Sequence, residues 1–189
     1  MSESKKIAVL FPGLGYTCKR PLLYYTGEAA FARGYEVLAL SYGDEIHNYK
    51  GRDMSKLAPL VPKAVEQTLK RLMDVEWDTY SDILFISKSV GTVIAYKTAE
   101  TLNLKVRHFF MTPIPPSVPY IPLIDGCFVA GTGDPYISAD MIRKAASDNP
   151  DKAAMIFPGC NHSLEKPCDI WGNLKNLETT VAILDKMLK

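Results

Sequence analysis

The sequence lacks most of the features that would commit a chain to a special environment. It holds four cysteines in 189 residues, Cys18, Cys127, Cys160 and Cys168, far from the density of a disulfide-stapled secreted scaffold. Thiols in a reducing cytoplasm are the simplest reading. No apolar run approaches the roughly 18–20 residues that a membrane span needs. The run at residues 7–11 is too short for the core of a signal peptide. A cytoplasmic chain with no membrane span is therefore expected. Charge of one sign is missing too: the net charge is +1, so no basic field is available to grip phosphate backbones or anionic lipid, and nucleic acid is not an expected partner. Histidine is scarce, with three in the chain. Cys160, His162 and Cys168 have neither a paired Cys-x-x-Cys nor a second nearby histidine, so no metal site is expected. There is no internal repeat or linker, and one domain over residues 1–189 is expected.

What is present is an ordinary globular composition, 47% apolar and 23% charged. A chain of this size buries roughly 70% of its unfolded surface, enough for a core without staples. Six short apolar runs stand out, at residues 7–11, 36–41, 83–87, 106–111, 127–130 and 154–157. They are rich in Val, Ile, Leu and Phe and show little strict alternation, as strands buried on both faces do. Helical stripes lie between them. Leu57, Leu60, Val61, Ala64, Val65, Leu69 and Leu72 recur at threes and fours, with Pro59 and Pro62 tolerable only in a first turn. Leu174, Leu177, Val181, Leu184 and Leu188 form a closing stripe. Alternating strands and helices imply an α/β fold with a mainly parallel six-stranded sheet and helices on both faces. Ligands of such sheets sit beyond the carboxyl ends of the strands.

Those ends carry unusual turns: Phe-Pro-Gly-Leu-Gly, Ser-Lys-Ser-Val-Gly, Gly-Thr-Gly-Asp-Pro and Pro-Gly-Cys-Asn-His. At Ser89 the pattern reads strand, sharp turn, helix. A serine there can be held in a strained conformation with its hydroxyl clear of the sheet, and small residues, Ser87 and Gly91, must flank it where the two backbones nearly touch. The helix amino terminus aims N–H groups at the same spot. A serine hydroxyl needs a general base. His162, after the last strand, fits better than His108, within a strand, or His47, in a polar loop. An acid must hold the imidazole in one tautomer. Asp134 ends the fifth strand, whereas Asp125 lies at the opposite edge and Asp140 about one helical turn too late. A turn or helix-capping role is the alternative for Asp134.

With these residues in order, the chain resembles the α/β-hydrolase superfamily, whose elbow reads Gly-x-Ser-x-Gly and whose triad runs nucleophile, acid, base. Ser87 in place of the first glycine is a departure. The resemblance implies a single-domain α/β-hydrolase fold in minimal form, without the early antiparallel strands or the lid of larger members. Residues 112–123 are only a proline-heavy crossing. It implies a catalytic triad of Ser89, Asp134 and His162, with the backbone N–H groups of Leu14 and Val90 as an oxyanion hole, and no cofactor. The substrate would be a small acyl compound, an ester or thioester hydrolysed through an acyl-enzyme. A non-catalytic binding protein of the same fold, or an acyltransferase using the same acyl-enzyme, are the alternatives. A dinucleotide-binding turn at residues 11–18 is disfavoured, because Cys18 takes the third glycine position and no acid closes the second strand. Tyr16, Tyr42, Tyr120 and Tyr136 either line the acyl site or pack ordinarily. Lys88, beside the nucleophile, is expected to point away from it as a solvated or salt-bridging lysine.

Overall fold

The structure is a computed structural model that describes residues 5–43 and 57–189. All six expected strands are present: β1 (Lys5–Phe11), β2 (Tyr35–Ala39), β3 (Tyr80–Lys88), β4 (Arg107–Met111), β5 (Asp125–Gly131) and β6 (Ala153–Phe157). They form one sheet in the order β2-β1-β3-β4-β5-β6, and every pairing is parallel. Parallel neighbours need crossovers, and helices supply them: α1 (Pro21–Ala32), α2 (Leu60–Leu72), α3 (Val90–Thr101) and α4 (Ala139–Asp148), with α5 (Ile170–Met187) closing the chain. Pro62 falls in the first turn of α2, where a missing N–H costs nothing.

The two-residue period of the strands sorts the core into two faces. Ile7, Val9, Phe11 and Phe85 pack with Ala64, Val65, Val93 and Ile94 from α2 and α3. Ala8, Leu10, Leu84 and Ile86 pack with Leu22, Leu23 and Ala30 of α1 and Leu184 of α5. Apolar residues on both faces explain why the inner strands show no alternation. The outer strands differ from that expectation: β2 and β6 are partly exposed, because each has a neighbour on one side only.

The proline-rich crossing takes a regular form: residues Pro115–Leu123 make a 3₁₀ helix. Pro116, Pro119 and Pro122 recur every third residue, and the fixed proline φ near −65° lies within the 3₁₀ range. This helix packs Ile121 and Ile124 against Phe110 and Phe128. Among the described residues no helix is long and apolar enough to cross a membrane.

The strand order places β1 between β2 and β3, so successive crossovers leave β1 in opposite directions. That switch point opens a crevice at the carboxyl ends of β1 and β3.

Candidate active site

At the end of β3 the chain turns through Ser89 directly into α3. Ser89 has φ 58° and ψ −127°, a conformation that L residues rarely adopt. Its neighbours hold it there. The Ser89 amide donates to the Met111 carbonyl at the end of β4 (3.0 Å), and the Ser89 carbonyl accepts from the Thr92 amide (3.0 Å) and hydroxyl (2.6 Å). A Cβ at Gly91 would stand 2.4 Å from the Phe11 carbonyl oxygen, so no larger residue fits where α3 crosses β1. The position of Ser87 is fully buried, and its hydroxyl faces the Phe109 carbonyl across the sheet at 3.4 Å. A hydroxymethyl group is accommodated at that flank.

Asp134 and His162 are brought together. The turn after β5 and the loop after β6 are stitched by three bonds: Thr132 amide to Phe157 carbonyl (3.0 Å), Gly133 amide to Cys160 carbonyl (2.9 Å), and Gly159 amide to the Thr132 hydroxyl (2.8 Å). Across this seam His162 Nδ1 lies 2.6 Å from Asp134 Oδ2. The other carboxylate oxygen accepts the Tyr136 amide at 2.9 Å. An ionised carboxylate can only accept, so Nδ1 carries the proton and Nε2 the lone pair. Burial pushes the imidazole below its ordinary value of 6.5, opposed by the Asp134 hydrogen bond and assisted by the positive charge of Lys88. The ring is therefore a neutral base at neutral pH. Ser89 Oγ is not hydrogen-bonded to the imidazole; among the described residues it has no hydrogen-bond partner. Such bonds commonly tighten only when substrate is bound.

The turn after β1 closes on the same point. A Cβ at Gly13 would lie 3.0 Å from Ser89 Cβ and 3.4 Å from the Lys88 carbonyl oxygen. Gly13 and Tyr16 exchange the hydrogen bonds of this turn, which leaves the Leu14 amide outside them. Val90 is the first residue of α3, where an N–H has no partner within the helix. Both amides therefore belong to segments that border Ser89.

Some functional geometry was not expected from the sequence. Lys88 is neither solvated nor salt-bridged; it is 1% exposed. Its Nζ donates to the His162 carbonyl at 2.9 Å and sits 4.3 Å from the centre of the Tyr16 ring. Asn161 is a second omission. Its Oδ1 accepts the Ser163 and Glu165 amides (2.7 and 3.1 Å), folding the His162 loop into a tight turn. An Asn immediately before a loop histidine was the available signal, since Asn side chains bond their own backbone two residues on. Of the four tyrosines, Tyr136 packs tilted against the His162 ring, 4.6 Å between centres, and Tyr16 lies under Lys88. Tyr42 is instead part of the core, and Tyr120 stacks on Tyr96 at 4.1 Å. His108 is a packed strand residue, 4% exposed. Its ring is kept neutral by burial, which pushes it to about 3. Asp140 is exposed and pairs with Arg143. Asp125 opens β5, at the far edge from Ser89. His47 lies outside the described residues.

No protein-family model matches the chain, and no curated protein sequence matches it. Solved structures do. A lidless α/β serine hydrolase from Xanthomonas campestris is 11% identical with a TM-score of 0.58, over 96% of this chain and 79% of that one. Est1E from Butyrivibrio proteoclasticus, solved with ferulic acid bound, is 12% identical with a TM-score of 0.61, over 100% and 92%. An esterase from Pyrococcus furiosus is 14% identical with a TM-score of 0.57, over 97% and 83%. This chain has the α/β-hydrolase fold. Within that hydrolase fold Ser89 occupies the turn between a central strand and its helix, and Asp134 and His162 follow the next-but-one and last strands.

Proposed function

We propose that residues 1–189 act as one serine hydrolase domain that cleaves a carboxylic ester or thioester through an acyl-enzyme. The observation that carries this reading is the buried Asp134–His162 hydrogen bond, set on the same sheet rim as a serine held at positive φ. Esterases among the structures that share the fold support it. Ser89 Oγ attacks the substrate carbonyl carbon and gives its proton to His162 Nε2. The negative charge that develops on the carbonyl oxygen is met by the Leu14 and Val90 amides, a pair of main-chain donors of which each is worth about 3–4 kcal/mol to the transition state. Asp134 stabilises the imidazolium. His162 then returns the proton to the departing alkoxide or thiolate, and water, deprotonated by the same nitrogen, releases the acid from Ser89. The residues need no cofactor for any of these steps. The four cysteines, none of them in a disulfide, suit a reducing compartment such as the cytoplasm.

A fluorophosphonate probe tests the reading. Wild type is expected to be labelled at Ser89, and Ser89→Ala to lose both labelling and ester turnover. An unlabelled wild-type protein would favour an inert binder of this fold. Products that retain the acyl group on an added alcohol or amine would turn hydrolysis into acyl transfer.

A further inference from the structure

Lys88 is buried at a cost to the fold. It is a full-length cation at 1% exposure, and among the described residues no carboxylate comes within ion-pair distance. Burial pushes its ammonium down to about 7, against the raising effect of Asp134 and Glu165 farther off. A buried charge that lacks a close counter-ion destabilises a fold, and an apolar side chain of similar volume would not. Stability therefore does not account for a lysine here.

Its contacts do. Lys88 ends β3 and immediately precedes Ser89; its Nζ holds the main-chain carbonyl of His162 and lies over the Tyr16 ring, in the turn that includes Leu14. One side chain thus ties together the three segments that would carry nucleophile, base and oxyanion donors. We propose that Lys88 is a positioning residue: it fixes the His162 backbone relative to the Ser89 elbow and places a positive charge in the surroundings of the imidazole. This rests on the proposed hydrolase reading but is testable apart from it.

The charged and titratable groups around the pair are few. Tyr16 comes from the turn after β1, with Arg20 5.8 Å from the same ring; Asp134 comes from the turn after β5; Glu165 and His162 itself come from the loop after β6, with Tyr136 against the imidazole. Asp134 favours the imidazolium and Lys88 opposes it. Either protonation state of the amine can donate to the carbonyl, so the tether outlasts the charge.

The test uses Lys88→Met, which removes donor and charge but fills the space, and Lys88→Arg, which restores both. Imidazole titration followed by NMR reads His162 directly, because burial holds His108 near 3 and only His47 remains to be distinguished. In Lys88→Met the His162 titration should move to higher pH, and fluorophosphonate labelling should slow about tenfold, as sub-ångström misplacement of a reacting group does. Lys88→Arg should return the titration toward the wild-type position. The melting temperature of Lys88→Met at pH 6 should equal or exceed wild type, and the gap should close toward pH 10. The buried amine penalises the fold while charged, and that penalty fades between about 7 and its ordinary 10.5. A His162 ring in Lys88→Met that titrates where the wild-type ring does overturns the proposal, and so does a fall in melting temperature that accounts for the slower labelling. Absence of labelling in wild type would instead strike the hydrolase reading, leaving the NMR result to decide the role of Lys88.

Discussion

Two cations close opposite ends of adjacent strands, and the molecule treats them differently. Arg107 opens β4 at the amino rim of the sheet, where it pairs with Asp82, donates to the Tyr35 hydroxyl and donates to the Met187 carbonyl at 2.6 Å. Tyr35 in turn bonds Asp82. Every part of that guanidinium is matched, and it ties β2, β3, β4 and the end of α5 together. Lys88 closes β3 at the carboxyl rim with a single neutral acceptor and a ring face. The same rim carries Ser89, Thr112 and Leu164 at positive φ, and a serine hydroxyl without a partner among the described residues. The Arg107 cation is met by a carboxylate, a hydroxyl and a carbonyl, whereas the Lys88 cation is left with one carbonyl and a ring. Unpaired charge and backbone strain are tolerated where they serve chemistry.

The comparison predicts where substitutions separate activity from stability. The largest effect belongs to Asp134→Asn. The amide leaves the shape of the rim intact but presents a donor to Nδ1, which selects the wrong tautomer. Turnover should fall about four orders of magnitude, with the melting temperature close to wild type, as steady-state hydrolysis and thermal unfolding of one preparation would establish. Activity retained by the variant would remove Asp134 from the mechanism.

The amino rim should behave in the opposite way. Asp82→Ala strands the Arg107 guanidinium and the Tyr35 hydroxyl. Because the Arg107–Asp82 pair is about a quarter exposed, water softens the loss to roughly 2 kcal/mol, less than a fully buried pair would cost. That corresponds to about 4–8 °C in melting temperature for a chain of this length. Probe labelling of Ser89 at a temperature where the variant is folded should stay within about twofold of wild type. A large loss of labelling would mean that the two rims are coupled through β3.

How much of this was legible beforehand follows from what each feature depends on. The six strands were, because a buried parallel strand needs a run of apolar residues whatever surrounds it. Edge exposure of β2 and β6 was not, since strand order is a property of the assembled sheet. Asp134 and His162 could be placed at one rim because a turn residue after a strand has only one end to occupy. Their hydrogen bond depends on the Thr132, Gly133 and Gly159 bonds between two loops, which no local pattern encodes. Lys88 was misread for the same reason. A lysine after a strand is ordinarily solvated, and its burial is decided by Tyr16 and His162, which lie 72 and 74 residues away from it. The proline-rich crossing was legible as a connection without a lid; its 3₁₀ form follows from the prolines, which argue against an α-helix while their three-residue spacing suits the tighter helix.

The smallest effect tests whether the carboxyl rim extends one residue back along β3. Ser87 stands where the superfamily pattern has glycine, and its hydroxyl makes only a 3.4 Å contact with the Phe109 carbonyl. Ser87→Gly would restore the pattern. If Ser87 serves only as a small flank, the variant loses strand rigidity and that weak bond, and stability falls by about 1 kcal/mol. Labelling and turnover should then remain within roughly twofold, because the positive φ of Ser89 is imposed by Met111, Thr92 and the approach of Gly91 to Phe11, and the pairing of Ser87 with Phe11 in the sheet is a backbone pairing that glycine keeps. A severalfold rise in turnover would show that the hydroxymethyl group pushes on the elbow. The boundary of the chemically committed rim would then lie at residue 87 rather than at Lys88.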